Sequence, residues 1–214
     1  MERAERGELT DEDLRIIRLN IIKLNYLHKA SVPFRCPVMV YFHAKSTHMK
    51  CELEDILNLI KSDAQKLESD YIRKEIKGDA EKIRLFIEKQ KKFTPCGLFY
   101  GRRDRIDIRQ LNGIVLLENY TDKLTFQQIQ AIKNEPYTYT LFRQLEKDKY
   151  AILVKTSGMT NRNFETYRYQ LKEYYRKLIG SDTIVASSIN RAIYLPHDKG
   201  FYRCDEIKYY TLIS

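Results

Sequence analysis

The sequence predicts an α+β protein, with helices packed on a mainly antiparallel sheet. Three observations carry this. Several stretches repeat apolar residues at helical spacing, and short apolar and aromatic runs lie between them, bounded by Pro, Gly and charged turns. The two kinds follow one another as helix, strand, helices, strands, helix, strands, helix, strands.

The first element is "TDEDLRIIRLNIIKLNYLHKA". Thr10 and, three residues on, Asp13 form a capping-box pattern that answers the free N–H groups of a helix start. Leu14, Ile17, Ile21, Leu24 and His28 then share one helical face. That stripe needs a partner surface, either the main body or a second copy of the chain in a homodimer. Pro33 and Pro37 break the helix. The seam near 31–37 separates an N-terminal helical extension, residues 1–32, from an α+β domain, residues 33–214.

Val38–Ala44 predicts a strand. "ELEDILNLIKSD" predicts a helix with Leu53, Ile56, Leu57 and Ile60 on one face. Tyr71 to Lys92 predicts a second helical stretch, interrupted at Gly78-Asp79. A short strand follows at Leu98–Tyr100, then a basic loop holding Arg102, Arg103, Arg105 and Arg109, then the apolar run Gly113 to Leu117. Thr125 to Lys133 is helical and stops before Pro136. "YTYTLFRQL" and "YAILVKT" read as paired strands joined by the charged turn Glu146-Lys147-Asp148. Asn161 to Leu178 is a clear helix, with Phe164, Tyr167, Leu171, Tyr174, Tyr175 and Leu178 on its apolar side. Gly180 ends it. "RAIYL" and "EIKYYTLIS" complete the strand set.

At 214 residues the chain can bury a core of its own. Lys and Arg number 38 against 29 Asp and Glu, a formal net charge of +9, which attracts polyanions. Tyr is abundant at 16 residues, and its ring can pack or stack with its polar edge in water. The four cysteines Cys36, Cys51, Cys96 and Cys204 lie far apart with no C-x-x-C, so free thiols in a reducing cytoplasm are expected. His48 and Cys51, three apart, would share a helix face but do not complete a zinc site. The charged N-terminus is not a signal peptide, and no run reaches the length of a membrane span.

Several chemistries are excluded by pattern. There is no G-x-x-x-x-G-K-[ST], no G-x-S-x-G and no H-E-x-x-H. The informative segment is "RQLNGIVLLENYTDK", where a buried-looking strand ends in Glu118. Phosphate-handling enzymes often hold Mg²⁺ at such a strand end, using two carboxylates one residue apart. Here the second position is Tyr120. Two-metal phosphoryl transfer needs acids that bridge ions roughly 4 Å apart. Glu118 alone does not supply that charge, and Asp122 is the one nearby acid that a folded-back loop could add.

The order of "EDILNLIKSD", "YIRKEIKGDAEKIRLFIEKQKKFTPCGLF", "LNGIVLLEN" and "INRAIYLPHDKGFY" resembles the VirE-type N-terminal domain of primase–helicase proteins of bacterial mobile elements. That domain is related to the archaeo-eukaryotic primase core. The resemblance covers roughly residues 36–205. It aligns Thr94, Gly97 and Phe99 with one family motif, Cys96 standing where the family has serine. Gly113 matches in the acidic strand, Glu118 falls on its first aspartate and Tyr120 on its second. Arg191 and Asp198 match a later motif, whose preceding acid falls on Ser188. The family's glycine-rich phosphate hairpin is replaced by "QLEKDKYA", whose long side chains crowd the backbone donors that a phosphate needs.

The resemblance implies a primase-like core, degenerate at its acids. The expected function is nucleic-acid binding in the replication or mobility of a mobile element, without catalysis and without a cofactor. Single-stranded nucleic acid or a primer–template end would lie along Arg102, Arg103, Arg105 and Arg109, with Tyr100 stacking a base and Arg191 clamping a phosphate. The bland counterparts are a solvated loop, and an ion pair from Arg191 to Asp198 or a helix acid. Any helicase or replication motor would be a separate protein. One rival is an active nucleotidyltransferase using Glu118 and Asp122 with Mg²⁺ or Mn²⁺, Glu118 being the metal ligand. The other is an adaptor that reuses the fold to bind protein.

Overall fold

The computed structural model describes residues 36–41, 48–76, 79–88, 90–100, 107–120, 122–146 and 148–213. All belong to the unit Cys36–Ser214. The predicted N-terminal helix and the predicted loop's Arg102, Arg103 and Arg105 lie outside the described residues, as does the side chain of Tyr100.

The described chain is α+β, as its pattern predicts. β1 (Pro37–Tyr41) and β2 (His48–Glu52) form a hairpin. It is extended by β3 (Lys92–Thr94) and, far along the chain, β10 (Ile193–Tyr194), in the order β10-β3-β1-β2. Helix α1 (Leu53–Lys61) leaves β2 directly and buries Leu53, Ile56, Leu57 and Ile60, the face read from the sequence. β4 (Gly97–Tyr100) and β5 (Asp107–Leu111) make a separate two-stranded ribbon.

The second half is a single sheet with two helices. β6 (Ile114–Asn119), α4 (Phe126–Asn134), β7 (Thr138–Arg143), β8 (Tyr150–Lys155), α5 (Phe164–Ile179) and β9 (Ile184–Ala186) follow in a β-α-β-β-α-β order. They pair antiparallel as β7-β8-β6-β9, with β11 (Tyr202–Arg203) added beside β7. This is the split βαβ, or ferredoxin-like, arrangement.

Side-chain alternation on β6 decides what each face receives. Val115 and Leu117 join Ile132 of α4 and Leu171 and Tyr175 of α5 in one core. Ile114, Leu116 and Glu118 point the other way and are also buried. A strand covered on both faces explains the unbroken apolar run; each fully buried Val, Leu or Ile adds roughly 1.5–3 kcal/mol.

Local chemistry sets the helix ends. Thr125 and Gln128 complete a capping box at the start of α4, each side chain accepting from the other's backbone N–H. α5 stops at Gly180, which takes a left-handed conformation with φ 60°.

The 71–92 stretch is more broken than its pattern suggests. After a 3₁₀ turn at Asp63–Gln65 come α2 (Lys66–Asp70) and a π-helical turn at Tyr71–Glu75. α3 (Ala80–Ile87) is capped by Asp79, and Lys92 already belongs to β3. Among its described residues, 206–213, "EIKYYTLIS" forms no strand, and Tyr210 makes a parallel bridge to Thr156. The strand that pairs at the β7 edge is β11, earlier in the chain.

Candidate functional site

β6 delivers Glu118 to the sheet face opposite α4 and α5. The carboxylate is buried there among donors. Gln144 Nε2 donates to Oε1 at 2.8 Å, and the Ser187 hydroxyl donates to Oε2. Arg191 approaches with Nε at 3.2 Å from Oε2 and Nη2 at 3.5 Å from Oε1, a fork-like pairing. Burial alone would raise this carboxyl. The Ser187 hydroxyl, the Gln144 amide and the Arg191 charge outweigh it and hold the group below its ordinary value of 4.5.

The local fold explains the convergence. Ser187 continues the β9 pairing, its N–H donating to the Leu116 carbonyl at 2.9 Å. The chain then turns, with Arg191 N–H donating to Ser188 C=O at 3.0 Å, and Arg191 comes back over the end of β6. Gln144 lies just past β7, where the β7–β8 hairpin begins to turn. Three segments thus meet one carboxylate.

Arg191 pairs with Glu118, and neither alternative ion-pair partner read from the sequence takes that place. Its side chain is 48% exposed, so its outward edge still meets solvent. Asp198 is buried elsewhere, accepting from Arg143 N–H at 2.7 Å and Gly200 N–H at 3.0 Å. His197 is buried, with Nδ1 2.7 Å from the Ser62 carbonyl. Asp122 lies in the exposed turn after β6, its N–H held by Thr183 Oγ1 at 3.2 Å. Arg109 is exposed on β5, so it belongs to a strand where a loop is expected.

Asn119, next to Glu118, faces the other way and is equally committed. Its amide donates to the carbonyls of Asp122 and Asp148 at 2.8 and 2.9 Å, and its Oδ1 accepts from Tyr150 N–H at 2.6 Å. Neither Ser187, Gln144 nor Asn119 stands out in the sequence. Gln144 falls within a predicted strand and Asn119 just past one, whereas Ser187 follows β9, a strand that the sequence pattern does not predict.

Among the described residues no group of three or more His, Cys, Asp and Glu is arranged to hold a metal ion. His48 and Cys51 both lie on β2, a strand, so the shared helix face read from their spacing does not form. Cys36 and Cys96 are buried free thiols, and desolvation pushes the Cys96 thiol up to about 12.

The basic row on α5 has a specific task. Arg168 Nε donates to Ala186 C=O and Arg176 Nε to Ile184 C=O, both at 2.8 Å. These are outward carbonyls of the edge strand β9. Arg168 also pairs with Glu165, and Arg176 and Lys172 with Glu173, as the spacing suggests. No described helix is long and apolar enough to cross a membrane. No family model matches the chain, nor does any curated protein or solved structure.

Proposed function

We propose that this chain is a nucleic-acid-binding domain with a primase-like core, acting in the replication or mobility of a mobile element and carrying no phosphoryl transfer at Glu118. One observation carries the non-catalytic part. The strand-end acid is already the acceptor for Ser187, Gln144 and Arg191, so its lone pairs are occupied by donors of this chain. A divalent cation would have to displace all three and compete with the Arg191 charge.

Four features support the binding part. The chain carries a formal net charge of +9. Its ferredoxin-like sheet puts Glu118 on the first strand, the place where the resemblance puts the family's acids. The basic segment around Arg102, Arg103 and Arg105, with Tyr100 before it and Arg109 after it, supplies the cations that such binding needs. Arg191 lends the outward edge of its guanidinium.

The experiment is a salt titration of single-stranded DNA binding. Each phosphate neutralised contributes a slope of about −0.7 in log K against log salt. Replacing Arg102, Arg103 and Arg105 together with alanine should make the slope shallower by about 2. Negligible low-salt affinity, or a slope near zero, would overturn the binding reading in favour of a protein adaptor. Primer synthesis from template, NTPs and Mn²⁺ that is lost in Glu118→Ala would overturn the non-catalytic one.

A further inference from the structure

A cleft of about 180 Å³ opens on the helix-bearing face of the sheet, between α4 and β7. It is distinct from the Glu118 cluster, which lies on the opposite face. α4 contributes Phe126, Ile129 and Lys133, spaced by three and four so that they share one side of the helix. β7 contributes Leu141 and Arg143, two residues apart and therefore on the same face. Tyr150, opposite Arg143 in the β7–β8 register, and the Asp198–Gly200 turn complete the rim.

The chemistry of this cleft is lopsided. Among the described residues neither Lys133 nor Arg143 has a carboxylate within ion-pair distance. Lys133 sits 5.9 Å from the Tyr202 ring centroid, a weak hold on an ammonium group. Asp198 is committed to the N–H groups of Arg143 and Gly200, and so is a fixed acceptor at one end. Behind β7, the Arg73 guanidinium bonds the carbonyls of His197, Arg143 and Gln144 and adds positive charge to the same region. Its Nε is buried with no partner.

The apolar side is equally unpartnered. Phe126, the first residue of α4, is 75% exposed. A flat hydrophobic ring held at a helix start, lining the same cleft as two cations, suits a ligand with both an aromatic plane and an anion. The size narrows it further. The cleft is below the roughly 300 Å³ at which pockets for drug-sized ligands begin, so it accommodates one ring and one phosphate, not a dinucleotide.

We infer that this cleft binds a single nucleotide, its phosphate on Arg143 and Lys133 and its base against Phe126. That nucleotide has two sources, a free nucleoside monophosphate or the phosphorylated end of a strand. The inference does not rest on the function proposed above.

The test uses the full chain at low salt and calorimetric titration. The ligands are AMP, adenosine, and one short single-stranded oligonucleotide with either a 5′-phosphate or a 5′-hydroxyl. AMP should bind, and adenosine about tenfold more weakly. Arg143→Gln and Phe126→Ala should each lower AMP affinity by about tenfold. Arg143→Gln leaves the backbone bonds to Asp198 and Arg73 intact, and Phe126→Ala removes an exposed side chain, so the fold is preserved for the comparison.

If the strand end is the source, the phosphorylated oligonucleotide shows the same sensitivity and AMP displaces it. If the free nucleotide is the source, AMP alone shows it. No AMP binding together with oligonucleotide affinity unchanged in both variants overturns the cleft and leaves the nucleic-acid role standing. AMP binding that is lost in both variants, in a protein with no affinity for either oligonucleotide, supports the cleft and overturns that role. AMP affinity indifferent to both substitutions also overturns the cleft.

Discussion

Replacing Glu118 with alanine should destabilise the protein by about 3 kcal/mol. The magnitude follows from what the carboxylate leaves behind. The Ser187 hydroxyl is buried and loses its acceptor, a loss of about 1–3 kcal/mol. Gln144 keeps a second acceptor, the Tyr150 carbonyl at 3.3 Å, which places its share at the low end of that range. Arg191 is half-exposed and regains water, so its lost pairing counts only as a surface ion pair of about 0–1 kcal/mol.

Equilibrium urea unfolding measures the sum, and Glu118→Gln, which keeps the shape and one acceptor, should lose less. The sign is diagnostic. An acid kept for metal chemistry sits in an environment that does not satisfy it, and its removal commonly raises stability. An unchanged or higher unfolding midpoint in Glu118→Ala would refute the account given for this carboxylate. So would Mn²⁺ stabilising the native chain by several degrees but not the variant.

The pH dependence follows from the same contacts. The folded-state value lies below the ordinary 4.5, so the unfolded chain takes up this proton first as pH falls. The contribution is complete above pH 4.5 and is lost as pH drops below it, through the lower folded value. Glu118→Gln should flatten that part of the stability–pH curve.

Three other perturbations test the fold. An added Cβ at Gly97 would stand 2.1 Å from the Gln110 carbonyl oxygen, so Gly97→Ala should lower stability by about 2–3 kcal/mol in chemical denaturation; a change under about 0.5 kcal/mol would contradict the close β4–β5 approach. Removing Arg168 and Arg176 together strips the β9 edge of its carbonyl partners, so the double alanine variant should melt earlier and show concentration-dependent light scattering. Arg73→Lys keeps the charge but loses a three-carbonyl fork, and thermal unfolding should show a loss of about 2 kcal/mol.

Long apolar signals were the readable part of this sequence. α1, α5 and the β6 and β7–β8 strands follow runs or stripes strong enough to survive tertiary context. What escaped was short or mixed. β2 reads "HMKCE" and β3 "KFT", and neither alternates cleanly. β9 is three residues, "IVA", inside a polar stretch. Such strands exist because a neighbour needs pairing, which sequence-local reasoning does not see. The cluster around Glu118 escaped for the same reason: Ser187 is 69 residues away, Arg191 73 and Gln144 26. Sheet register brings them together, and that register exists only once β6, β8 and β9 have paired.

Asn119 has a mechanical consequence. One planar amide ties the exit of β6 at Asp122 to the tip of the β7–β8 hairpin at Asp148 and Tyr150. The two loops are therefore a single lever and not two independent appendages. A load on the hairpin tip is transmitted through that amide to the segment that leads into α4.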